Sequence, residues 1–246
     1  MALLEVQGLT RRFGGLMAVH ELDLEVERGE ILGLIGPNGA GKSTLFSMLS
    51  GGLPPTRGLI RFRGERLNGL APHRICHRGI ARARQLVRPF ESLSVFDNVL
   101  VGASFGRGGH GEIRSNASRA LEITGLRIKA DAAARVLTLP DRKRLEIARA
   151  LATRPVLLLL DEVAAGLTPS ELAEALELLG RIREEGTTLI YTEHVMQAVM
   201  HLSDRVVVLD HGEKIAEGTP DQISRNSRVV EAYLGTNTPG TEGGIE

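Results

Sequence analysis

The stretch GPNGAGKST, residues 36–44, decides how this 246-residue chain folds and what it can bind. It follows the apolar run ILGLI, which reads as a strand, and precedes TLFSML, which reads as a helix. The pattern G-x-x-x-x-G-K-[ST] in that position is typical of a phosphate-binding loop. Glycines let the backbone approach an anion closely, and a helix N-terminus attracts negative charge. A glycine turn without a ligand is the alternative, and the flanking strand and helix argue against it.

This phosphate-binding loop has a predicted role for each kind of group in it. Backbone N–H groups, those of Gly39, Gly41, Lys42 and Ser43, can converge on the β-phosphate of a nucleotide. The Lys42 ammonium would neutralise β and γ oxygens, and the Ser43 hydroxyl would bind Mg²⁺. The residues predicted to bind the nucleotide are Gly36, Asn38, Gly39, Ala40, Gly41, Lys42, Ser43 and Thr44.

An acidic pair, Asp161 and Glu162, follows the aliphatic run VLLLL at residues 156–160. A continuous aliphatic run is typical of a strand buried on both faces of a parallel sheet, and such sheets bind ligands at the carboxyl ends of their strands. Asp161 can therefore hold Mg²⁺ beside the phosphates, and Glu162 can orient or deprotonate the attacking water. Simple solvation of a strand end is the alternative, and the phosphate-binding loop weighs against it.

The order of predicted elements indicates an α/β body interrupted by helices. Residues 3–35 alternate apolar and polar positions, as strands do, and TTLIYT and RVVVLD return to strand patterns late in the chain. From about Pro89 to residue 154 the pattern is helical. A helix also follows the acidic pair, where Thr168 and Glu171 form a predicted capping box. We therefore expect a mostly helical lobe inserted into an α/β body.

Composition and charge argue against several functional classes. Thirty basic residues balance thirty acidic ones, whereas nucleic-acid-binding domains usually carry a basic excess, so we expect no nucleic-acid partner. Cys76 is the only cysteine, which rules out an intramolecular disulfide and fits a reducing compartment. The N-terminal residues lack a secretory pattern, and no aliphatic run approaches the roughly 18 to 20 residues that cross a bilayer. We expect no direct membrane insertion, so any link to a membrane runs through a partner.

With the loop and the acidic pair in this order, the chain resembles the ATP-binding cassette ATPases over about residues 3–235. The resemblance implies a P-loop ABC-type nucleotide-binding domain, with a RecA-like core plus an antiparallel β subdomain over residues 1–86 and 156–235. It also implies an inserted helical subdomain over residues 87–155. Residues 236–246 lack periodicity and are predicted to be a disordered tail.

Further landmarks of that family match single residues of this chain. Gln85, in GIARARQ, matches the Q-loop glutamine that contacts Mg²⁺ and the membrane partner. His194, in YTEHV, matches the switch histidine that holds the γ-phosphate, and Phe13, in RRFGG, matches the aromatic residue that stacks on adenine. The resemblance thus implies ATP and Mg²⁺ as ligands, with Glu162, His194 and Gln85 as catalytic residues and Ser43, Gln85 and Asp161 around the metal.

The stretch LTLPD, residues 137–141, departs from the L-S-G-G-Q pattern of the family, and we call it the signature stretch. In the family this stretch completes the ATP site of a partner cassette. Thr138 keeps a hydroxyl for the nucleotide, but Pro140 has no N–H where the second glycine would donate one to the γ-phosphate. The departure predicts a heterodimer with one slow site. In the alternative, Pro140 merely starts a helix and a basic side chain supplies the contact: Arg142, Lys143 or Arg144.

Four segments are similar to the ATPases of high-affinity branched-chain amino acid importers: GLTRRFGGLMAV, FESLSVFDNVLVGA, LEIARALATRP and VVEAYLG. The resemblance implies a second ATPase subunit, two transmembrane permease subunits and, indirectly, a periplasmic binding protein. It also implies a peripheral location at the cytoplasmic face of the inner membrane. Importers of urea, amides or other amino acids, and a nucleotide switch without transport, are the alternatives. Three arginines around the Q-loop are expected to dock the membrane partner: Arg82, Arg84 and Arg88.

Overall fold

The computed structural model describes residues 2–107, 109–193 and 195–234. The predicted tail at 236–246 lies outside these ranges, as does His194. The strands are β1 (Leu4–Phe13), β2 (Leu16–Val26), β3 (Ile31–Ile35), β4 (Arg57–Phe62), β5 (Glu65–Arg66), β6 (Ile80–Ala83), β7 (Leu157–Asp161), β8 (Thr188–Thr192), β9 (Arg205–Asp210) and β10 (Glu213–Gly218). The helices are α1 (Lys42–Leu49), α2 (Pro72–Arg78), α3 (Val95–Ser104), α4 (Ile113–Ile123), α5 (Leu139–Leu151), α6 (Pro169–Glu184), α7 (Met196–Leu202), α8 (Pro220–Ser224) and α9 (Ser227–Leu234).

A six-stranded sheet, in the order β10-β9-β3-β8-β7-β6, places the candidate site. Its strands are parallel from β9 to β6, and β10 pairs with β9 in the antiparallel direction. Because the carboxyl ends of parallel strands meet at one edge, the phosphate-binding loop after β3 and the acidic pair at the end of β7 share that edge. The predicted α/β class is confirmed.

The buried strand β7 joins the two halves of the hydrophobic core. All five of its residues are buried. Leu158 and Leu160 pack in the core that includes the helices α3, α4 and α5, while Leu157 and Leu159 pack in the core beneath β1, β2 and β4. Alternate side chains of a strand point to opposite faces of its sheet. Because β7 packs against a core on each face of the sheet, apolar side chains are needed at consecutive positions, which explains the unbroken run of leucines.

The remaining strands form a second sheet, in the order β2-β1-β4-β5, and all its pairings are antiparallel. Helices α3, α4 and α5 pack on one another, and α5 also contacts β6. This arrangement confirms the predicted antiparallel sheet and inserted helices, while the boundaries at 87 and 155 stay predictions. Among the described residues, no helix has the length and apolar character needed to cross a bilayer.

The helix that follows the acidic pair begins as predicted. The Thr168 hydroxyl accepts a hydrogen bond from the Glu171 N–H at 3.4 Å, and the Glu171 carboxylate accepts one from the Thr168 N–H at 2.7 Å. Two backbone groups at the start of α6 are thus satisfied by one reciprocal pair. The predicted capping box is confirmed. Strand β6, which forms one edge of the central sheet, has no strand pattern that predicted it.

Candidate functional site

The phosphate-binding loop takes a shape that two of its glycines make possible. Gly36 has φ 149° and Gly41 has φ 103°, in the left-handed region that side chains rarely adopt. A Cβ at Gly36 would collide with the Leu209 carbonyl, and one at Gly41 would collide with the Ala18 carbonyl. The loop is therefore wedged between β9 and β2, which fixes its path before α1 begins at Lys42.

Lys42 points its ammonium back over the loop. Its Nζ donates to the Gly36 carbonyl at 2.6 Å and to the Pro37 carbonyl at 3.0 Å. Burial lowers the pKa of Lys42, and the negative charges of Glu162 and Asp161 oppose that shift. The structure thus brings the predicted phosphate-binding lysine within electrostatic reach of both members of the acidic pair. Ser43 follows on the exposed side of the first turn of α1.

Asp161 is held by two neighbours at the carboxyl end of β7. Its Oδ2 accepts from the Arg82 guanidinium, and its Oδ1 accepts from the Thr192 hydroxyl at 3.4 Å. Arg82 also donates to the Ser47 hydroxyl at 3.0 Å, one turn beyond Ser43 on α1. Arg82 therefore links the helix after the phosphate-binding loop to the acidic strand end.

The interpretation of Arg82 as a docking residue for a membrane partner is wrong. Its side chain is only 13% exposed and pairs with an Asp161 side chain that is 9% exposed. Arginine on strand β6 alternates with alanines in IARA, so the side chain enters the interior between α1 and β7. Arg84 and Arg88 are exposed, and their predicted role remains open to test.

Glu162 has an unusual backbone conformation for a residue with a side chain. Its φ is 50°, and its N–H donates to the Thr192 carbonyl at 3.1 Å and to the Thr192 hydroxyl at 3.2 Å. A left-handed residue other than glycine costs about 1 kcal/mol or more, so the contacts with β8 must hold it there. Thr192, at the end of β8, thereby fixes the backbone position from which the predicted water-activating side chain of Glu162 extends.

The other predicted site residues occupy separate positions around this edge. Gln85 is exposed just after β6, and its carbonyl accepts from the Lys143 ammonium at 2.9 Å. Phe13, at the end of β1, is 44% exposed, and the Arg11 guanidinium lies 4.5 Å from its ring centre. The predicted adenine-stacking ring is thus accessible, with Arg11 packed against it. His194 lies outside the described residues.

Comparison with known proteins tests the family directly. The family described as "ABC transporter" matches residues 19–165, which is more than half of the chain. The high-affinity branched-chain amino acid transport ATP-binding protein BraF of Pseudomonas aeruginosa is 42% identical, over 95% of this chain and 98% of its own length. The chain belongs to the ABC transporter family. As a member, this cassette is an ATP-binding ATPase.

Other relatives agree with this assignment of the cassette. The corresponding protein LivG of Escherichia coli K12 is 43% identical over 95% of this chain and 98% of its own. A second family, described as "Branched-chain amino acid ATP-binding cassette transporter", matches residues 213–237. The crystal structure of MJ1267, an ATP-binding cassette of an ABC transporter in its ADP conformation, has a TM-score of 0.87 and 27% identity, covering 96% of this chain and 99% of that one.

The signature stretch of the cassette starts α5 through a side-chain cap. Thr138 is the N-cap residue of the helix and Pro140 lies in its first turn, as the helix-start alternative proposed. The Thr138 hydroxyl donates to the Asp141 carboxylate at 2.8 Å, and Lys129 pairs with the same carboxylate. Burial would raise the pKa of Asp141, but hydrogen bonds from Lys129 and Thr138 outweigh it and lower the pKa. An ionised carboxylate therefore sits at the helix N-terminus.

The three basic residues that could replace the lost glycine donor of the cassette all bind within the chain. Arg142 donates to the Leu137 carbonyl at 3.1 Å and to the Arg135 carbonyl at 2.9 Å. Arg144 pairs with Glu174, and Lys143 donates to Gln85. These contacts weigh against the alternative in which a basic side chain supplies the contact to a partner's nucleotide.

Proposed function

We propose that this cassette hydrolyses Mg²⁺-bound ATP to drive import of branched-chain or related amino acids through membrane permease subunits. The observation that carries the chemistry is that the phosphate-binding loop after β3 and the acidic pair at the end of β7 lie at the same edge of the parallel sheet. The cargo class is supported by BraF and LivG, whose names specify high-affinity branched-chain amino acid transport, and by the matching family at residues 213–237. Importers of urea, amides or other amino acids remain the alternative cargo classes.

The residues at this edge fit a magnesium nucleotide. Mg²⁺ prefers hard oxygen ligands and is usually bound by one or two protein groups together with substrate phosphates. Ser43 and Asp161 offer a hydroxyl and a buried carboxylate, and Gln85 offers an amide oxygen. When bound, the ion would neutralise charge on the β- and γ-phosphates. Lys42 and the loop N–H groups would hold the phosphates, and Glu162 would accept a proton from water.

The proposed partners are two transmembrane permease subunits, a second cassette and, indirectly, a periplasmic binding protein. The cassette would then be peripheral, at the cytoplasmic face of the inner membrane. Three large apolar side chains that follow Gln85 support a docking surface there: Leu86 is 71% exposed, Phe90 45% and Leu93 36%. Such exposed apolar groups near one segment are typical of protein interfaces.

The Lys42→Ala variant tests the proposed chemistry. Loss of the ammonium leaves the phosphates without their closest fixed positive charge, so we expect Mg²⁺-ATP to bind at least about tenfold more weakly. Isothermal titration of the purified chain measures this affinity. Uptake of radiolabelled leucine by cells that carry the complete importer should be lost as well.

Lys214→Ala is the matched control, because the Lys214 ammonium pairs with Glu217 at 2.5 Å on the same strand, β10. It should bind ATP as the parent chain does. Unchanged ATP affinity in Lys42→Ala would contradict the proposed nucleotide site. Normal ATP binding with no leucine uptake by the intact importer would contradict only the proposed cargo.

We further propose that the second cassette is a different chain and that the two ATP sites are unequal. At the N-terminus of α5, Pro140 has no N–H, and the Thr138 hydroxyl donates to the Asp141 carboxylate at 2.8 Å. One lost donor to a transition-state oxygen slows a reaction about a hundredfold. The site formed by the partner's phosphate-binding loop and this signature stretch should be the slow one.

Single-turnover hydrolysis in the assembled complex measures each site. The catalytic glutamate is replaced in one cassette at a time, which leaves the opposite site to be timed alone. We expect the site completed by residues 137–141 to be slower by about two orders of magnitude. Equal rates at the two sites would contradict the asymmetry.

A further inference from the structure

Lys143 contacts both segments that carry the hydrolytic chemistry, although it lies on the inserted helix α5. The side chain is buried, and its Nζ donates to the Gln85 carbonyl at 2.9 Å and to the Glu162 carbonyl at 3.5 Å. Gln85 follows β6, and Glu162 follows β7. One ammonium therefore bridges the helix of the signature stretch, the Q-loop and the acidic strand end.

Several acidic side chains surround the Lys143 ammonium. Burial lowers the pKa of Lys143, and the negative charges of Glu193, Glu162 and Glu146 oppose the shift. Glu193 is itself buried, at the end of β8, and its carboxylate accepts from the Ala164 N–H at 2.7 Å. A buried ammonium is tolerated only where carbonyls and carboxylates compensate it. Here Gln85, Glu162 and Glu193 follow three neighbouring strands of the sheet, β6, β7 and β8, while Glu146 lies on α5 itself.

We propose that Lys143 is a positioning residue that makes the start of α5 move together with the Q-loop and the end of β7. The ammonium binds backbone carbonyls, so these contacts depend on the backbone position of the two loops and not on the rotamers of their side chains. Nucleotide-dependent shifts at the acidic pair and at Gln85 are transmitted to the signature stretch through this contact. The inference rests on the proposed function, since it requires nucleotide to bind at this edge.

Hydrogen exchange on the full chain tests the coupling, with Mg²⁺ and the nonhydrolysable analogue AMP-PNP as the probe. Mass spectrometry follows peptides that cover residues 84–88 and 138–145. In the parent chain, AMP-PNP should change exchange in both peptides. In Lys143→Met, the change at 138–145 should fall roughly fivefold while AMP-PNP affinity stays within about twofold. Lys143→Arg, which keeps the charge and the donors, should restore the change.

Two further variants separate coupling from folding. Arg144→Met is the matched control, because Arg144 lies next to Lys143 on α5 but pairs with Glu174, an exposed residue of α6; it should keep the response of the parent chain. The double variant Lys143→Met/Glu193→Gln also removes the negative charge of Glu193 that faces Lys143, which limits the loss of stability. Its exchange response at 138–145 should fall as much as in Lys143→Met. Thermal unfolding of each variant verifies that it is folded.

The outcomes are distinct. A full response at 138–145 in folded Lys143→Met, or in the double variant, would overturn the inference while leaving the proposed function intact. Loss of the response in Lys143→Arg and Arg144→Met alike would also overturn it, because the effect would then be one of general helix stability. Failure of the parent chain to bind AMP-PNP would contradict the proposed function itself and remove the basis of the inference.

Discussion

Replacement of Glu162 by glutamine is expected to lower the rate of ATP hydrolysis by about 10² to 10⁴-fold, with ATP affinity nearly unchanged. A carboxamide has the shape of a carboxylate but cannot accept a proton from water. The backbone of Glu162 is fixed by two hydrogen bonds to Thr192, at 3.1 and 3.2 Å, which glutamine retains. The substitution therefore removes the predicted base without moving the strand end.

Phosphate release by the assembled complex, together with nucleotide titration of the purified chain, measures the two quantities separately. Glu177→Gln is the control, because Glu177 is an exposed glutamate of α6. It should leave both quantities unchanged. Hydrolysis at the parent rate in Glu162→Gln would assign the proton transfer to another group. Full amino-acid uptake by cells without hydrolysis would favour a nucleotide switch that does not need turnover.

The second large effect is on stability. Arg82→Met should lower the free energy of unfolding by about 3 to 5 kcal/mol, because removal of one partner leaves a buried charge unpaired. Among the described residues, Asp161 would keep only the Thr192 hydroxyl, at 3.4 Å, as a side-chain hydrogen-bond partner. Methionine preserves much of the volume beside Phe46, whose ring centre lies 5.7 Å from the guanidinium carbon.

Urea denaturation of single and double variants isolates the charge effect. Arg82→Met/Asp161→Asn should recover much of the lost stability, since no unpaired carboxylate remains. Arg78→Met is the matched control: its pair with Glu65, at 2.7 Å, joins side chains that are 37% and 65% exposed. An exposed pair of this kind contributes about 1 kcal/mol or less. Equal losses in Arg82→Met and Arg78→Met would contradict the importance of the buried pair.

Local sequence signals predicted much of this fold. The phosphate-binding loop, the aliphatic strand β7 and the capping box at Thr168 each depend on neighbouring residues, and all three have the predicted form. The roles of Gln85, Phe13 and His194 stay predictions, because they concern ligands that the fold alone does not specify. The signature stretch starts a helix, as its alternative interpretation predicted, since Thr138 and Pro140 favour that position locally. The predicted slow site stays a prediction.

Long-range contacts explain what the sequence analysis missed. Arg82 and Asp161 are 79 residues apart in the chain, and Lys143 and Gln85 are 58 apart. Strand β6 has only four residues, and its arginine made IARA look like a surface segment. Only the parallel pairing of β6 with β7 brings that arginine to the acidic pair. Buried cations of this kind have no local pattern that distinguishes them from exposed ones.

The left-handed backbone at Glu162 implies a conflict between the stability of the fold and the rate of ATP hydrolysis in this cassette. Glycine would adopt that φ of 50° without penalty, and asparagine with little. A protein selected only to resist unfolding would therefore drift away from glutamate here. The proposed role of its carboxylate in hydrolysis gives a reason for glutamate at this strained position. If that role is right, a screen for heat-resistant variants of this protein would tend to recover inactive ones at this residue.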